Sequence, residues 1–321
     1  MRILVTGGAG FIGSHLIEEL LIKGHHVCAL DDLSTGTMEN LLIPRKSDKF
    51  NYVEGSILNK TLVESLVADS DYVIHLAAAV GVQKILKDPI GSLITNIQGS
   101  ENVMFAAASR GIPTILASTS EVYGKNSSGP LNEESDRIIG SPLLSRWTYS
   151  EAKAIDESLA RALYERDGYP VKIIRYFNTV GPRQSPAYGM VIPTFFRCAL
   201  KGNDLVVHGD GKQSRVFCHV QDAVKGTISL FDSDKGFGDV FNIGGIEEVS
   251  ILELAKLVIA MCNSSSKIIF QTYEDLRKKG FEDMSRRIPD CSKLRKSTGW
   301  QAEISLNRIL EDVYHELRQE S

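Results

Sequence analysis

The chain has 321 residues, of which 43% are hydrophobic and 24% charged, with a formal net charge of −4 and a sequence pI of about 6.0. This balance is typical of a globular protein long enough for two domains or one large two-part domain. Nothing in it indicates the basic stripe that a nucleic-acid-binding surface needs. No apolar run reaches the roughly 18 residues of a membrane span, so we expect no membrane partner. The five cysteines are scattered and never form Cys-x-x-Cys. They predict free thiols in a reducing, cytoplasmic compartment, and no metal site is predicted.

The first half of the chain alternates short β-branched runs with longer amphipathic stretches. Predicted strands cover Ile3–Thr6, His26–Leu30, Asn51–Glu54, Tyr72–His75, Thr114–Ala117 and Val171–Tyr176. Predicted helices cover 11–23, 60–68, 90–109 and 148–166. This alternation predicts an α/β fold with a Rossmann-type doubly wound parallel sheet and helices on both faces. Because the first strand runs straight into a glycine loop, it is interpreted as a core strand rather than a signal peptide.

After about residue 177 the pattern loosens. Residues 124–147 are rich in Gly, Pro, Asn and Ser and predict a loop. Further helices are predicted at roughly 190–201, 220–232, 250–262 and 305–318. We therefore predict a dinucleotide-binding domain over 1–177 and a smaller mixed α/β lobe over 178–321. A strand at Val240–Ile243 could return to the main sheet.

A glycine loop, Thr6-Gly7-Gly8-Ala9-Gly10-Phe11-Ile12-Gly13, joins the first strand to the first helix. A strand before it, a helix after it and an acid ending the next strand are the context that a dinucleotide fingerprint needs. The glycines let backbone N–H groups approach a pyrophosphate, and the helix N-terminus adds its positive dipole end. Asp31 follows Gly13 by 18 residues. A carboxylate there accepts a hydrogen bond from the ribose 2′-hydroxyl and repels a 2′-phosphate, which predicts NAD rather than NADP.

A second constellation lies around residues 118–153. Tyr149 and Lys153 are four residues apart and share one helix face. A nearby ammonium stabilises a phenolate, so we expect Lys153 to lower the pKa of Tyr149 and make it a base for a sugar hydroxyl. The fifth strand ends in Ser118-Thr119-Ser120-Glu121, where a doubly wound fold binds its ligand. Its hydroxyls can hydrogen-bond the reacting oxygen, and Glu121 adds a carboxylate that plain alcohol oxidation does not require.

Together these motifs resemble the extended short-chain dehydrogenases, which include NAD-dependent nucleotide-sugar epimerases, dehydratases and decarboxylases. The resemblance spans nearly the whole chain. Besides the glycine loop, it is carried by His75-Leu76-Ala77-Ala78, Asn96, Tyr149-x-x-x-Lys153 and Arg175-Tyr176-Phe177-Asn178. It implies that Tyr149 and Lys153 are catalytic, that NAD stays bound through the cycle, and that the second lobe holds the sugar nucleotide. It also implies a homodimer formed through helices 90–109 and 148–166.

The resemblance further implies a set of cofactor contacts. Where the family usually has an aspartate that contacts the adenine, this chain has Ser56. The residues expected at the cofactor are Gly7, Gly10, Phe11, Ile12, Gly13, Asp31, Asp32, Ser56, Ile57, Leu76, Ala77, Ala78, Asn96, Ser118, Tyr149, Lys153 and Tyr176. Asn178 and Arg215 are expected to hold the nucleotide diphosphate, since an arginine fork suits phosphate geometry.

Within the family, four segments resemble UDP-glucuronate decarboxylases. They are Thr119-Ser120-Glu121, Phe177-Asn178-Thr179-Val180-Gly181-Pro182-Arg183, Arg146-Trp147-Thr148-Tyr149-Ser150 and the run from Gly280 to Pro289. In the last of these, Arg287 aligns with a proposed proton-donating arginine, and Arg286 beside it is the alternative contact. The implied substrate is a UDP-sugar, with UDP-glucuronate favoured.

The resemblance implies oxidation of the sugar at C4 with Tyr149 as base. With UDP-glucuronate this gives a β-keto acid, whose ketone accepts the electrons released as CO2 leaves. Thr119 and Tyr149 would stabilise the enolate, while Glu121 and Arg287 would act on the C5 side and Arg287 would deliver the proton. The product would be UDP-xylose or the 4-keto pentose.

Three alternatives stay open. A 4-epimerase needs the same oxidation and then hydride return to the other face, but epimerases usually carry a small residue at the position of Glu121. A 4,6-dehydratase needs an acid and a base near C5 and C6, and Glu121 could be the base. Ser120, where dTDP-glucose dehydratases have an aspartate, counts against that version. A non-catalytic NAD-binding regulator would not need the intact Thr119, Tyr149 and Lys153 set.

Overall fold

The computed structural model describes residues 1–81, 88–185, 190–272, 274, 282 and 284–319. Its strands are β1 (Arg2–Thr6), β2 (His26–Asp31), β3 (Phe50–Glu54), β4 (Tyr72–His75), β5 (Thr114–Thr119), β6 (Pro130–Leu131), β7 (Val171–Tyr176), β8 (Thr179–Val180), β9 (Leu205–His208), β10 (Ser214–Val216), β11 (Cys218–His219), β12 (Val240–Ile243), β13 (Glu248–Ser250), β14 (Ile268–Gln271) and β15 (Arg286–Pro289). The α-helices in the same part of the chain are α1 (Phe11–Ile22), α2 (Lys60–Ala68), α3 (Pro89–Ala108), α4 (Thr148–Asp167), α5 (Val191–Leu200), α6 (Val220–Phe231), α7 (Ile251–Met261), α8 (Ser292–Thr298) and α9 (Leu306–Gln319). None of these helices is long and apolar enough to cross a membrane.

Seven parallel strands form the main sheet, in the order β12-β7-β5-β4-β1-β2-β3. Strands β4 and β7 are buried along their whole length, as expected of a parallel sheet covered on both faces. Helices α1 and α6 contribute to the apolar core that includes Leu16 and Val224. Helices α2, α3 and α4 contribute to a separate core that includes Val67, Met104 and Leu163. The fold is therefore the predicted doubly wound Rossmann-type sheet.

Within the described residues, the smaller lobe is built from short strands and the helices α5, α7 and α9. Strands β13, β10, β15 and β6 form a mixed four-stranded sheet, while β8 pairs with β11 and β9 pairs with β14. Helices α5, α7 and α9 enclose a separate apolar core. The two parts of the chain exchange segments: β12 extends the main sheet beside β7, and β6, from the first half, pairs with β15. The lobes are thus interleaved in sequence.

The predicted elements agree closely with the observed ones where the sequence pattern is long and periodic. Strands Tyr72–His75, Val171–Tyr176 and Val240–Ile243 and helix 60–68 have the predicted bounds, and the other predicted helices differ by one or two residues at their ends. Helix α8 and the short strands of the second lobe were not predicted. Most of the missed strands have only two or three residues, which is too short for an alternating pattern to be recognised.

Buried charges fasten helix α4 to the sheet. Glu157 of α4 accepts two hydrogen bonds from the Arg175 guanidinium of β7, at 2.9 Å to Oε1 and 2.6 Å to Oε2. The Ser118 hydroxyl, on β5, donates a further short hydrogen bond to Glu157 Oε1. Arg175 Nη1 also donates to the Tyr123 hydroxyl at 2.9 Å. Because Glu157 and Arg175 are both buried, this bidentate pair fixes the position of α4 relative to two strand ends.

We predict that Glu157→Ala lowers the free energy of unfolding by about 3–5 kcal/mol, because it leaves the Arg175 charge buried without its partner. Denaturant unfolding followed by circular dichroism measures this. Glu165→Ala is the matched control, since Glu165 pairs with Arg161 on the exposed side of the same helix, and its effect should stay below about 1 kcal/mol. Equal losses in the two variants would contradict the structural role given to the buried pair.

Candidate active site

The predicted site residues converge at the carboxyl ends of the parallel strands. The glycine loop follows β1, Asp31 ends β2, Leu76 follows β4, and Thr119 ends β5. In a doubly wound sheet this edge is where ligands bind. The sheet thus brings together groups that lie more than 100 residues apart in sequence.

The glycine loop has the geometry of a phosphate cradle. Gly7 has a φ of +72°, and a Cβ there would lie 2.7 Å from the backbone nitrogen of Ala77. A Cβ on Gly13 would overlap the Gly7 carbonyl oxygen. Only glycine leaves the backbone open enough for a pyrophosphate to reach the N-terminus of α1. The residues present therefore fit a dinucleotide.

Asp31 is buried beside this loop, and its carboxylate holds the loop in shape. Its Oδ2 accepts a hydrogen bond from the Ala9 backbone N–H at 2.9 Å, and its Oδ1 accepts one from Leu33 N–H at 2.8 Å. Burial raises the pKa of Asp31, an effect partly opposed by these hydrogen bonds. A carboxylate oxygen can accept more than one hydrogen bond, so Asp31 can shape the loop and still receive a ribose hydroxyl. Asp32 is exposed, and its Oδ1 accepts a hydrogen bond from the Ser34 backbone N–H at 3.0 Å.

The other residues predicted at the cofactor line the neighbouring strand ends. Leu76, Ala77 and Ala78 are half-buried after β4. Both ends of the Asn96 amide bond the backbone of Ala79, at 2.6 Å and 3.1 Å, so in this structure Asn96 holds that segment in place. Ile57 is buried and packs on Gly99 of α3. Nearby, Ser56 accepts a hydrogen bond from Leu58 N–H at 3.3 Å.

Tyr149 and Lys153 lie one turn apart in the first half of α4, as predicted. Tyr149 shares a side-chain hydrogen bond with Thr119, and Thr119 Oγ1 accepts one from Glu121 N–H at 3.2 Å. Ser150 Oγ donates to the Glu121 carbonyl at 2.8 Å. These contacts join the start of α4 to the end of β5 and place a phenol and a hydroxyl side by side.

The charges around Tyr149 differ from the prediction. Burial raises its pKa, and the carboxylates of Glu121 and Asp156 raise it further, while the hydrogen bond to Thr119 lowers it. The Lys153 ammonium donates to Asp156 Oδ2 at 3.1 Å, so its charge is balanced by that carboxylate. The expectation that Lys153 lowers the Tyr149 pKa is therefore wrong for the chain by itself.

Glu121 lies between two arginines. Arg287 Nη1 donates to its Oε1 at 2.5 Å and to Ser120 Oγ at 3.3 Å, and Arg146 Nη2 lies 2.6 Å from its Oε2. Burial alone would raise the pKa of Glu121, but the charges and hydrogen bonds of the two arginines lower it to about 2. Glu121 is thus a carboxylate at any working pH and a weak base. This disfavours its use as the catalytic base of a dehydratase.

Arg287, on β15, is the arginine that reaches the strand end. Its side chain is buried, and its Nε has no hydrogen-bond partner within the described residues. Arg286, the alternative, instead forms an exposed bidentate pair with Glu248. Arg215 of β10 is the register partner of Arg287, so the two lie side by side. Of the motif from Gly280 to Pro289, Gly280, Phe281 and Asp283 lie outside the described residues.

Three more predicted residues are engaged with the protein itself. Ser118 bonds Glu157, and the hydroxyls of Tyr176 and Thr227 are 2.7 Å apart. Asn178 has a φ of +27° and donates to the Val216 carbonyl at 2.9 Å. These contacts position the strand ends, and direct cofactor or diphosphate contacts of these side chains stay predictions.

The structure adds Arg146 and Asp156 to the candidate site. Arg146 precedes Tyr149 by three residues, and its guanidinium lies 5.3 Å from the Trp147 ring centroid. Arg146 lies in the short turn just before α4, and Asp156 lies on the buried side of α4. Buried charges are rare unless they are paired. Arg146 pairs with Glu121, 25 residues away, and the burial that forces Asp156 to pair with Lys153 is not visible in the sequence pattern.

Comparison with known proteins places the chain among sugar-nucleotide enzymes. The family profile of GDP-mannose 4,6 dehydratases matches residues 4–313. A UDP-N-acetyl-alpha-D-glucosaminuronate decarboxylase of Bacillus cytotoxicus is 40% identical, covering 99% of this chain and 98% of the relative. UDP-glucuronic acid decarboxylase 1 of Xenopus tropicalis is 34% identical, covering 99% of this chain and 72% of the relative. The UDP-glucuronic acid 4-epimerase of Bacillus cereus, solved with UDP-glucuronic acid and NAD, has a TM-score of 0.90 and 31% identity over 100% of both chains.

We predict that Gly13→Ala weakens NAD binding roughly tenfold or more, about 1.4 kcal/mol, because the added methyl displaces the Gly7 carbonyl and distorts the cradle. Isothermal titration calorimetry with NAD measures this. Ser14→Ala is the control, since it removes a neighbouring hydroxyl that donates a hydrogen bond to the Phe11 carbonyl of the same helix. Wild-type affinity in folded Gly13→Ala protein would contradict the assignment of the loop.

Proposed function

Because the chain belongs to the GDP-mannose 4,6 dehydratase family of extended short-chain dehydrogenases, we propose that it is a decarboxylase of UDP-linked hexuronic acids. It is an NAD-dependent enzyme that acts on nucleotide sugars and oxidises them at C4. UDP-glucuronate is one candidate substrate, and the relative with 40% identity makes its 2-acetamido counterpart the other.

The observation that supports this proposal best is the buried guanidinium of Arg287 beside Glu121. A buried cation is costly unless it is paired. Arg287 keeps one buried N–H, at Nε, with no partner among the described residues. A uronate substrate brings a carboxylate, and a planar guanidinium binds a carboxylate through parallel hydrogen bonds. A neutral hexose offers no such group.

Each of these side chains has its own role in the proposed reaction. Tyr149 takes the proton of the C4 hydroxyl, and the Thr119 hydroxyl, bonded to Tyr149, donates to the developing ketone oxygen. Lys153 fixes the cofactor ribose. NAD held by the glycine loop and Asp31 would supply the hydride chemistry at C4. Once C4 is a ketone, the C5–C6 bond breaks, its electron pair enters the C4 carbonyl, and CO2 leaves.

Glu121 and Arg287 act in the decarboxylation that follows oxidation at C4. With a pKa of about 2, Glu121 is a poor proton carrier, so we assign it the orientation of Arg287 and Arg146. Arg287 binds the C6 carboxylate and then faces C5. An enolate carbon is more basic than a neutral guanidine, so Arg287 can deliver the proton that C5 needs. Arg215, its register partner, and Asn178 are proposed to hold the diphosphate.

The decisive assay incubates the protein with NAD and either UDP-glucuronate or UDP-N-acetylglucosaminuronate. CO2 release and product NMR are followed. A UDP-pentose with one CO2 per turnover is expected for one of the two. A C4 epimer without CO2 would replace the proposal by 4-epimerisation, the activity named for the Bacillus cereus neighbour. A 4-keto-6-deoxy product from a neutral sugar nucleotide would indicate a dehydratase.

In this assay we predict that Arg287→Gln lowers kcat/KM for decarboxylation roughly 10²–10³-fold, since the carboxylate loses its charged partner. Arg286→Gln is the matched control: it is the next residue, with its side chain exposed and paired to Glu248. Its activity should stay within about twofold of wild type. Equal effects of the two substitutions would remove Arg287 from the proposed mechanism.

We also propose that the chain forms a homodimer through α3 and α4. Ile90, Ile94 and Phe105 are exposed on α3, and Ile155 is exposed on the adjacent α4. Adjacent helices with apolar residues turned to solvent suit a second copy of the same face, which would bury them symmetrically. We also propose that the protein is cytoplasmic, since its five cysteines are all free.

We predict that the double substitution Ile94→Glu with Phe105→Glu yields a folded monomer, because four like charges would meet across the two-fold axis. Sedimentation velocity measures the oligomeric state of each variant. Ile22→Glu, an exposed apolar position on α1, should leave the dimer intact. A dimer in the double variant would exclude this face as the interface.

A further inference from the structure

A continuous chain of buried polar groups runs behind the catalytic lysine. Its members are Thr6, His75, Ser100, Asp156 and Lys153, each at most 1% exposed. Going from one end to the other, Thr6 Oγ1 lies 2.7 Å from His75 Nδ1, His75 Nε2 lies 3.1 Å from Ser100 Oγ, and Ser100 Oγ lies 2.9 Å from Asp156 Oδ2. Lys153 Nζ completes it at 3.1 Å from the same carboxylate oxygen. The proposed mechanism uses none of these groups except Lys153.

The donors and acceptors in this chain can be assigned from chemistry alone. An ionised carboxylate only accepts, so both Ser100 and Lys153 donate to Asp156. The Ser100 oxygen is then free to accept from His75 Nε2–H. Burial and the charge of Lys153 lower the pKa of His75 to about 3, so the ring is neutral and its Nδ1 accepts from the Thr6 hydroxyl. Each group therefore fixes the orientation of the next one.

The far end of the chain reaches the segments that cradle the cofactor. The Thr6 oxygen accepts a hydrogen bond from Ala77 N–H at 3.3 Å. Thr6 directly precedes the glycine loop, and Ala77 lies in the segment that follows β4. One set of hydrogen bonds thus connects the two cofactor-lining loops with the carboxylate that holds Lys153.

We propose that Asp156 is the positioning residue of Lys153: it sets the direction of the ammonium beside Tyr149, while Ser100 and His75 hold Asp156 in place. The inference rests on the proposed NAD-dependent oxidation but not on which sugar is oxidised.

Asp156 also affects the charge that Tyr149 experiences. The charged groups near Asp156 are Lys153 and Glu157 on its own helix, while neutral Ser100 and His75 face it from α3 and β4. Burial raises the pKa of Asp156, whereas the Lys153 charge and the hydrogen bonds of Ser100 and Lys153 lower it. As an anion, Asp156 raises the pKa of Tyr149. Removing this charge while keeping the oxygen should make Tyr149 easier to ionise.

Two variants separate orientation from charge. Asp156→Asn keeps an acceptor oxygen for Lys153 and removes the charge, so the Tyr149 pKa should fall by about one unit. Ser100→Ala keeps the charge and breaks the chain, so kcat should fall roughly tenfold with little change in the Tyr149 pKa. The Tyr149 titration is read from the Cζ resonance of 13C-labelled tyrosine in the NAD-loaded protein without sugar, with Tyr149→Phe for assignment. Values of kcat are measured on the sugar nucleotide that wild type converts.

Ser158→Ala, on the exposed side of the same helix, is the control and should change neither quantity. Asp156→Glu should recover part of the kcat that Asp156→Ala loses, because a longer carboxylate still reaches Lys153. An unchanged Tyr149 titration in Asp156→Asn, with kcat within twofold of wild type in Ser100→Ala, would overturn the proposal. The proposal would also be overturned if the Asp156 and Ser100 variants had lower melting temperatures but wild-type kcat and Tyr149 titration. Because the titration uses no sugar, it stays interpretable if the proposed substrate proves wrong.

Discussion

The ion pair between Glu157 and Arg175 fixes the helix on which the chemistry depends. It joins α4 to β7, and through Ser118 also to β5. Tyr149 and Lys153 are carried by this helix, whereas Thr119 and Glu121 are carried by the end of β5. A bidentate, buried pair tolerates little sliding, so the distance between helix and strand end is set by charge geometry rather than by apolar packing, which is less directional.

Around this framework, acidic and basic groups are arranged in pairs. Glu121 is matched by Arg146 and Arg287, and Lys153 is matched by Asp156. In the protein by itself, burial and the carboxylates of Glu121 and Asp156 raise the pKa of Tyr149. The nearby cations are already paired with those two carboxylates. In the proposed reaction, proton transfer from the sugar to Tyr149 therefore depends on charges that accompany the ligands.

The interleaving of the lobes explains how Arg287 reaches Glu121, 166 residues away in sequence. Strand β6 follows β5 in the chain, and its Pro130 and Leu131 pair with Ile288 and Pro289 at the end of β15. Arg287 directly precedes this paired stretch. Asn242 of β12 reinforces the junction, since its amide donates to the carbonyls of Leu131 and Asp290. Segments of both halves of the chain therefore meet around Glu121, although each half also has its own apolar core.

The sequence by itself determined the doubly wound sheet, nearly all the long helices, the phosphate cradle and the Tyr149–Lys153 pair. Each of these depends on a local property: hydrophobic period, glycine spacing, or two side chains one helical turn apart. Only the tertiary structure decided that Arg146 and Arg287 enclose Glu121, that Asp156 holds Lys153, and that the Tyr149 pKa is raised. The contact of Arg287 with Glu121 joins segments 166 residues apart, whereas Asp156 and Lys153 are only three residues apart and their pairing depends on both being buried. A Coulomb interaction is set by distance in space and by exclusion of water, neither of which a linear pattern contains.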